Sequence, residues 1–191
     1  MGIKARLPFK RSIQSSVETY IKNSKFRNLT KNWFFSDIRF YMLVSEYDDW
    51  VKHYGVLPLK NKVILDIGAG EGETAWFFKF NGAKNVIAVE PDSEAFEILS
   101  NNSTKHNFIA VNERLSCELI DFWLPKIDVI KCDVEGYEEL LLDIEIPKPI
   151  MVEVHGVQLA DKFKIKGYKL YNNASNYGTN LCICYASKNL F

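Results

Sequence analysis

The rhythm of apolar and polar positions changes near residue 58 of the chain. Before it, apolar residues recur three and four positions apart, first over residues 13–21 and again from Ile38 to Tyr54, which predicts helices. Gly55 and Pro58 then interrupt this pattern. The sequence therefore predicts a helical N-terminal extension, residues 1–58, followed by a separate domain.

In residues 59–191, short apolar runs alternate with helical stretches. Five runs are strand-like: VILDI (63–67), NVIAVE (85–90), FIAVN (108–112), IDVIKCD (127–133) and IMVEVH (150–155). Strands that are apolar on both sides and separated by helices are typical of a parallel sheet covered on both faces. The last two runs, YKLY (168–171) and LCICYA (181–186), are too close for a crossover helix, which predicts an antiparallel hairpin. The expected fold is a doubly wound α/β domain.

Composition and charge narrow the class of protein. The chain has 191 residues, 47% of them hydrophobic, and a formal net charge of zero, which excludes a disordered chain and gives no strong overall field for a polyanion. Residues 1–31 hold eight basic side chains and one acid, and a solvated face is favoured there over a nucleic-acid contact.

The sequence lacks the patterns of membrane spans, secretory signals and zinc sites. No apolar run reaches the ~20 residues that span a bilayer, and no secretory apolar segment follows the N-terminus, so a cytoplasmic protein is expected. The four cysteines lack the spacing of a zinc site and are expected to be free, as in a reducing compartment.

A glycine-rich turn follows the first predicted strand. Three of the ten glycines lie at Gly68, Gly70 and Gly72, directly after Asp66. In open α/β sheets, ligands bind at the carboxyl ends of the strands, and glycine allows the backbone to approach a ligand closely. The turn therefore predicts a ligand site, and a bound ligand is the expected reason for the glycines.

Carboxylates around this turn indicate the kind of ligand. The spacing is GxGxG, with Glu73 where a dinucleotide-binding fingerprint has its third glycine. Glu71 and Glu73 would repel a pyrophosphate and favour a cation such as a sulfonium. Glu90 ends the second predicted strand, where an acid can accept hydrogen bonds from ribose hydroxyls.

Four segments carry a resemblance to a known family. VILDIGAGEGETAWFF, IAVEPDSEAFEILSNN, IDVIKCDVEGYEELLL and IMVEVH resemble the successive motifs of class I S-adenosylmethionine-dependent methyltransferases, and KCDVEGYEELL is most similar to the FkbM-like family. The resemblance covers about residues 60–186. It implies a Rossmann-like, mostly parallel seven-stranded sheet ending in an antiparallel hairpin, with S-adenosylmethionine as cofactor. The implied reaction is methylation of an oxygen on a sugar, glycolipid or other small molecule.

The resemblance also implies site residues. The methionine part of the cofactor would be held by Asp66, Gly68, Gly70, Glu71 and Gly72, although the family often has Asn where Gly70 stands. Glu90 would bind the ribose and the loop at Asn112 and Glu113 the adenine. Asp133 would lie beside the methionine amino group and the substrate.

A hydroxyl acceptor must also lose its proton. Candidate groups at the ends of the fourth and fifth predicted strands are Asp133, Glu135 and His155, together with Glu153. Each of these residues could also have a role without proton transfer. Asp133 could orient the cofactor, and Glu135 could cap the next helix. These four residues could also hold a divalent cation, but their spacing does not require one, and no metal is predicted.

Three other functions stay open from the sequence alone. The basic extension could hold an RNA substrate, the domain could bind S-adenosylmethionine without catalysis, or the turn could serve a nicotinamide oxidoreductase. Methylation of DNA bases is disfavoured, because Asp133 is followed by Val-Glu-Gly and not by Pro-Pro, and the chain has no Pro-Cys. The acceptor and the oligomeric state are not indicated.

Overall fold

The computed structural model describes residues 32–172 and 183–190. The basic cluster of residues 1–31 and the first predicted helix, residues 13–21, lie outside the described residues. The same is true of the whole loop between the last two strands, residues 173–182, which includes Cys182. Cys132 is buried and Cys117 is exposed, and these two cysteines are free.

Seven strands form one sheet in the order β3-β2-β1-β4-β5-β7-β6. Their bounds are β1 Val63–Ile67, β2 Asn85–Val89, β3 Ile109–Val111, β4 Val129–Cys132, β5 Ile150–His155, β6 Lys169–Asn172 and β7 Ile183–Lys188. Strands β1 to β5 pair in parallel, and β7 pairs antiparallel with both β5 and β6. The predicted seven-stranded, doubly wound sheet with a terminal antiparallel hairpin is confirmed.

Helices cover both faces of the sheet. They are α1 Asp37–His53, α2 Glu73–Phe80, α3 Ser93–His106, α4 Cys117–Trp123 and α5 Val157–Ile165, with 3₁₀ helices at Leu124–Lys126 and Glu138–Asp143. Helix α4 was not predicted, and the helical stretch expected after β4 is a 3₁₀ helix. No helix within the described residues is long and apolar enough to cross a membrane.

Helix α1 belongs to the core of one sheet face. Its Leu43 and Trp50, followed by Tyr54, are buried in the same cluster as Phe77 and Phe78 of α2. The helix begins at the cap Ser36, whose side chain accepts a hydrogen bond from the backbone N–H of Arg39. The described part of the predicted extension is therefore packed against the sheet, and the division at residue 58 stays a prediction.

Strand order places a crevice at one edge of the sheet. From β1 the chain adds β2 and β3 on one side of the sheet, and then β4 and β5 on the other side, so the strand order reverses between β1 and β4. These two strands are adjacent and parallel, with Ile67 beside Cys132. Both strands end at the same edge, and ligands of open α/β sheets bind where the order reverses in this way. Residues that follow β1, β2, β3 and β4 therefore meet around one crevice.

Candidate active site

The glycine turn is shaped first by its protein neighbours. Gly68 has φ +74°, and a Cβ placed there would lie 1.6 Å from the backbone oxygen of Asp133. Any side chain would collide with the end of β4, so the close approach of two strand ends requires glycine at this position. Gly70 also has a positive φ, +56°. At Gly68 the neighbouring backbone is a sufficient reason for glycine, and the close approach of a ligand there stays a prediction.

Glu90 is held by the backbone in a fixed orientation. Its Oε2 accepts a hydrogen bond from the N–H of Gly70 at 2.9 Å, and its Oε1 accepts one from the N–H of Asp92 at 2.9 Å. Asn112 donates from its side chain to the backbone oxygen of Glu90 at 2.8 Å. A carboxylate has about four acceptor positions, so Glu90 keeps capacity for ligand hydroxyls.

A cavity of about 250 Å³ lies over the turn. It is lined by Arg39, Ile67, Gly68, Gly70, Glu90, Pro91, Glu113, Arg114, Leu115, Asp133, Val134, Glu135 and Tyr137. Among the residues predicted to bind the cofactor, five line this cavity: Gly68, Gly70, Glu90, Glu113 and Asp133. Arg39 reaches it from α1, a contribution that was not predicted. The backbone of the turn and the carboxylate of Glu90 therefore face the same space.

Two residues predicted to bind the cofactor, Asp66 and Glu71, have side chains that bind other parts of the protein. Asp66 is fully buried, and its Oδ2 accepts a hydrogen bond from Thr74 Oγ1 at 2.7 Å. Burial raises the pKa of Asp66, and the nearby ammonium of Lys131 opposes that shift. Glu71 accepts a hydrogen bond from the backbone N–H of Ser36. Neither side chain lines the cavity, so a direct contact of either with a cofactor stays a prediction.

Lys131 connects the turn to the end of β4. Its Nζ donates to the backbone oxygen of Gly68 at 2.8 Å and lies 3.2 Å from Asp66 Oδ1 and 3.9 Å from Asp133 Oδ2. The side chain is fully buried. Burial alone would lower the pKa of Lys131, but the charges of Asp66 and Asp133 raise it above its usual value, so the ammonium stays charged. The sequence showed this lysine only as part of a motif.

Beyond the turn, side chains from β4 and β5 converge. Asp133, Glu153 and His155 each offer a ligand atom, and these atoms lie within 4.8 Å of one another. They meet because β4 and β5 are adjacent and parallel, with Cys132 beside Val152. The predicted candidates Asp133 and His155 are therefore brought together, and Glu153 is placed between them along the chain. We call Asp133, Glu153 and His155 the carboxylate–histidine cluster.

Two glutamates fix the ring of His155. Nδ1 lies 2.6 Å from Oε1 of the buried Glu138, and Nε2 lies 3.4 Å from Oε2 of Glu135, whose side chain is 85% exposed. Burial alone would lower the pKa of His155, but the hydrogen bond to Glu138 and the charges of Asp133 and Glu135 raise it to about 9. The ring is therefore an imidazolium at neutral pH, which argues against the predicted role of His155 as a base.

Two further glutamates have a pKa close to neutrality. Burial and the charge of Asp133 raise the pKa of Glu153 to about 7, and Tyr54 donates a hydrogen bond to its Oε2 at 3.1 Å. The same two causes raise the pKa of Glu46, on α1, to about 7. Glu46 was not among the predicted site residues. A signal was present, since the spacing that turns Leu43 and Trp50 inward places Glu46 on the same side of the helix.

Comparison with known sequences gives a partial match. No family model matches the chain. Protein arginine N-methyltransferase 1 of Oryza sativa subsp. indica is 32% identical over 110 residues, which are 54% of this chain and 28% of that protein. Protein arginine N-methyltransferase 1 of subsp. japonica matches with the same identity and the same coverage. The chain thus spans less than a third of the length of these relatives.

Comparison with solved structures identifies the fold. The C-terminal domain of precorrin-6Y C5,15-methyltransferase from Rhodobacter capsulatus aligns with a TM-score of 0.56 at 16% identity, covering 73% of this chain and 87% of that one. Fibrillarin from Aeropyrum pernix, solved with natively bound S-adenosyl-L-methionine, aligns with a TM-score of 0.51 at 13% identity over 68% of both chains. The chain has the Rossmann-like fold of these methyltransferases.

Proposed function

We propose that the chain is an S-adenosylmethionine-dependent methyltransferase that methylates a hydroxyl oxygen on a sugar, glycolipid or other small molecule. The observation that carries this proposal is the position of Glu90. Its carboxylate is oriented by the N–H of Gly70 in a cavity that extends to Asp133. The proposed ribose-binding acid therefore faces the same cavity as Asp133, one member of the carboxylate–histidine cluster.

The cavity suits a cationic ligand that contains a ribose. Its lining holds four acids, Glu90, Glu113, Asp133 and Glu135, against two arginines, Arg39 and Arg114. This balance disfavours a pyrophosphate and favours a sulfonium. In the proposed complex Glu90 binds the ribose hydroxyls, and the backbone at Gly68 and Gly70 borders the methionine part. When bound, S-adenosylmethionine supplies a methyl group already activated by its sulfonium.

The protein has to align the acceptor and remove its proton. A base works best when its pKa lies near the working pH, which Glu46 and Glu153 satisfy with values of about 7. We assign proton acceptance to this pair of glutamates. His155, charged at neutral pH, is better suited to orient an acceptor oxygen as a hydrogen-bond donor.

The hydroxyl acceptor is supported by the resemblance of KCDVEGYEELL to the FkbM-like family, and membership of that family stays part of the proposal. A second acceptor class has its own support. Glu46, Asp133 and Glu153 form a carboxylate-rich surface that would also bind a guanidinium, and the relatives with 32% identity are named arginine methyltransferases. A protein arginine is therefore the second candidate acceptor.

The cofactor is tested by calorimetry with S-adenosylmethionine, S-adenosylhomocysteine and NAD. Glu90→Ala should weaken binding of the first two at least 10-fold, because hydrogen bonds to a charged group contribute about 1.5–3 kcal/mol each. Glu94→Ala, an exposed residue four positions along the chain, is the matched control and should bind as the wild type does. Tighter binding of NAD by the wild type would contradict the proposal.

The acceptor is tested by transfer of a labelled methyl group. Sugars, glycolipids and small alcohols are compared with arginine peptides and RNA, each with wild type, Glu46→Gln and Glu153→Gln. We expect transfer to an oxygen, a lower kcat in at least one of the two variants, and a wild-type rate that falls below about pH 7 as the base becomes protonated. Methyl transfer to arginine peptides alone would show that the acceptor is a protein arginine and not a hydroxyl. Cofactor binding without any methyl transfer would indicate a domain that binds S-adenosylmethionine without catalysis.

A further inference from the structure

We propose that the carboxylate–histidine cluster, Asp133, Glu153 and His155, binds a divalent transition-metal ion such as Mn²⁺. The three ligand atoms lie within 4.8 Å of one another and come from the ends of two adjacent strands. Ligand atoms at about 2.1 Å from an ion lie about 3–4 Å apart, so small side-chain rotations would close the site.

The ring of His155 is already held as a metal-binding histidine is held. Nδ1 of His155 donates a hydrogen bond to Oε1 of Glu138 at 2.6 Å. Nε2 is therefore the ring nitrogen that can bind an ion. Glu138 is fully buried, and within the described residues its Oε2 has no hydrogen-bond partner. A buried carboxylate behind the ring fixes the tautomer and strengthens the nitrogen as a ligand. The cluster therefore has an orienting group in addition to its three ligands.

The surrounding charges favour a cation at this position. Besides Asp133 and Glu153, the carboxylate of Glu135 lies next to Nε2 of His155. Glu46 on α1 is the fourth carboxyl group nearby. Lys131 lies 3.9 Å from Asp133, but it is shared with the buried Asp66 at 3.2 Å. An ion bound to Nε2 would replace the proton there and supply more charge to the same carboxylates.

The donor set indicates the kind of ion. Two carboxylate oxygens and one imidazole differ from the all-oxygen sets that Mg²⁺ and Ca²⁺ prefer. They also lack the thiolates that favour structural zinc sites. Carboxylate and water suit Mn²⁺, and imidazole is accepted by the first-row transition metals. Three protein ligands would leave coordination positions open for water or another oxygen ligand.

The location gives the ion a role that rests on the proposed function. Asp133 also lines the cofactor cavity, so an acceptor oxygen beside the cofactor could complete the coordination of the ion. In the transfer, the acceptor O–C bond would form and the S–C bond would break with its electron pair left on sulfur. The hydroxyl proton would pass to Glu46, because Glu153 would be occupied as a ligand. Binding of the ion itself does not depend on this reaction.

The test is a titration of the metal-stripped chain with Mn²⁺, with free Mn²⁺ measured by electron paramagnetic resonance. We expect one ion per chain and at least 10-fold weaker binding by His155→Ala and by Glu153→Gln. Glu138→Gln, which changes only the positioning group, should weaken binding about 10–100-fold. The matched controls His106→Ala and Glu139→Gln, a histidine and an exposed glutamate outside the cluster, should bind as the wild type does.

A second measurement separates lost binding from lost folding. Mn²⁺ should raise the Tm of the wild type and of His106→Ala but not of His155→Ala, because an ion stabilises only a state that binds it. If His155→Ala does not fold, His155→Gln takes its place. Absence of saturable Mn²⁺ binding by the wild type, or equal affinity in wild type and cluster variants, would overturn the proposal. Loss of methyl transfer with Mn²⁺ binding intact would count against the proposed function and not against the ion site.

Discussion

The two halves of the crevice are built in different ways. On the first half, the turn after β1 and the end of β2 are shaped by backbone groups, since Gly68 meets a carbonyl oxygen and Glu90 is held by two backbone N–H groups. On the second half, side chains from separate elements converge, with Asp133 after β4, Glu153 and His155 on β5, and Glu46 on α1. The half of the crevice that is built from local backbone can largely be predicted from a sequence motif. The half that is built from distant side chains depends on the whole fold.

One buried residue couples the two halves. Lys131 donates to the glycine turn and lies between Asp66 on the first half and Asp133 on the second. Removing the ammonium should therefore affect groups on both halves at once.

The largest expected effect comes from Lys131→Met. This change leaves Asp66 as a buried carboxylate without its cation, and breaking a buried ion pair in this way costs about 3–5 kcal/mol. The free energy of unfolding, measured by denaturant titration, should fall by that amount. Lys62→Met is the matched control, because the Lys62 and Asp128 side chains that pair at 3.6 Å are 45% and 39% exposed. Exposed pairs contribute at most about 1 kcal/mol.

A double variant sharpens this test. Asp66→Asn together with Lys131→Met removes both charges, so it should be less destabilised than Lys131→Met alone. Equal losses for Lys131→Met and Lys62→Met would show that the buried pair of Lys131 and Asp66 contributes no more to stability than an exposed pair.

The next effect concerns the backbone-built half. Gly68→Ala should reduce the free energy of unfolding by about 2–4 kcal/mol, because a Cβ would collide with the Asp133 carbonyl and the backbone has a positive φ. Gly136→Ala also has a positive φ, but nothing lies within 4 Å of its Cβ position. It should therefore cost only the conformational strain, about 1–2 kcal/mol. Similar losses in the two variants would mean that the close approach at Gly68 is relieved by movement.

Prediction from the sequence succeeded where local pattern decides the structure. Apolar runs flanked by helical stretches were sufficient for the seven-stranded sheet, and the short link between β6 and β7 was sufficient for the antiparallel hairpin. The position of Glu90 beside the glycine turn was also predicted, because both follow parallel strands that end at the same edge. Helix α4 was missed because seven residues carry little periodicity.

The sequence does not indicate contacts that depend on distant packing. The carboxylates of Asp66 and Glu71 contact Lys131 and Ser36, which are 65 and 35 positions away in the chain, and their predicted role in binding the cofactor stays a prediction. Glu46 reaches the second half only because α1 packs against the sheet. A motif gives the order of residues along the chain, but it does not show which neighbour each carboxylate meets.

The smallest effect isolates the side-chain-built half through its pH dependence. Glu138 and the surrounding carboxylates raise the pKa of His155 from 6.5 to about 9. A raised pKa means that the folded state holds the proton more tightly, so the stabilisation is complete below about pH 6.5 and is lost as pH rises through about 9. In the presence of a chelator, the difference in unfolding free energy between wild type and His155→Gln should fall by about 1–3 kcal/mol across that window. Glu138→Gln should show the same loss of pH dependence, since it removes the main partner of the ring, whereas the variant Glu94→Ala, at an exposed position on α3, should keep the wild-type profile. A difference that stays flat or grows between pH 6.5 and 9 would mean that the imidazolium of His155 is not what holds this half together.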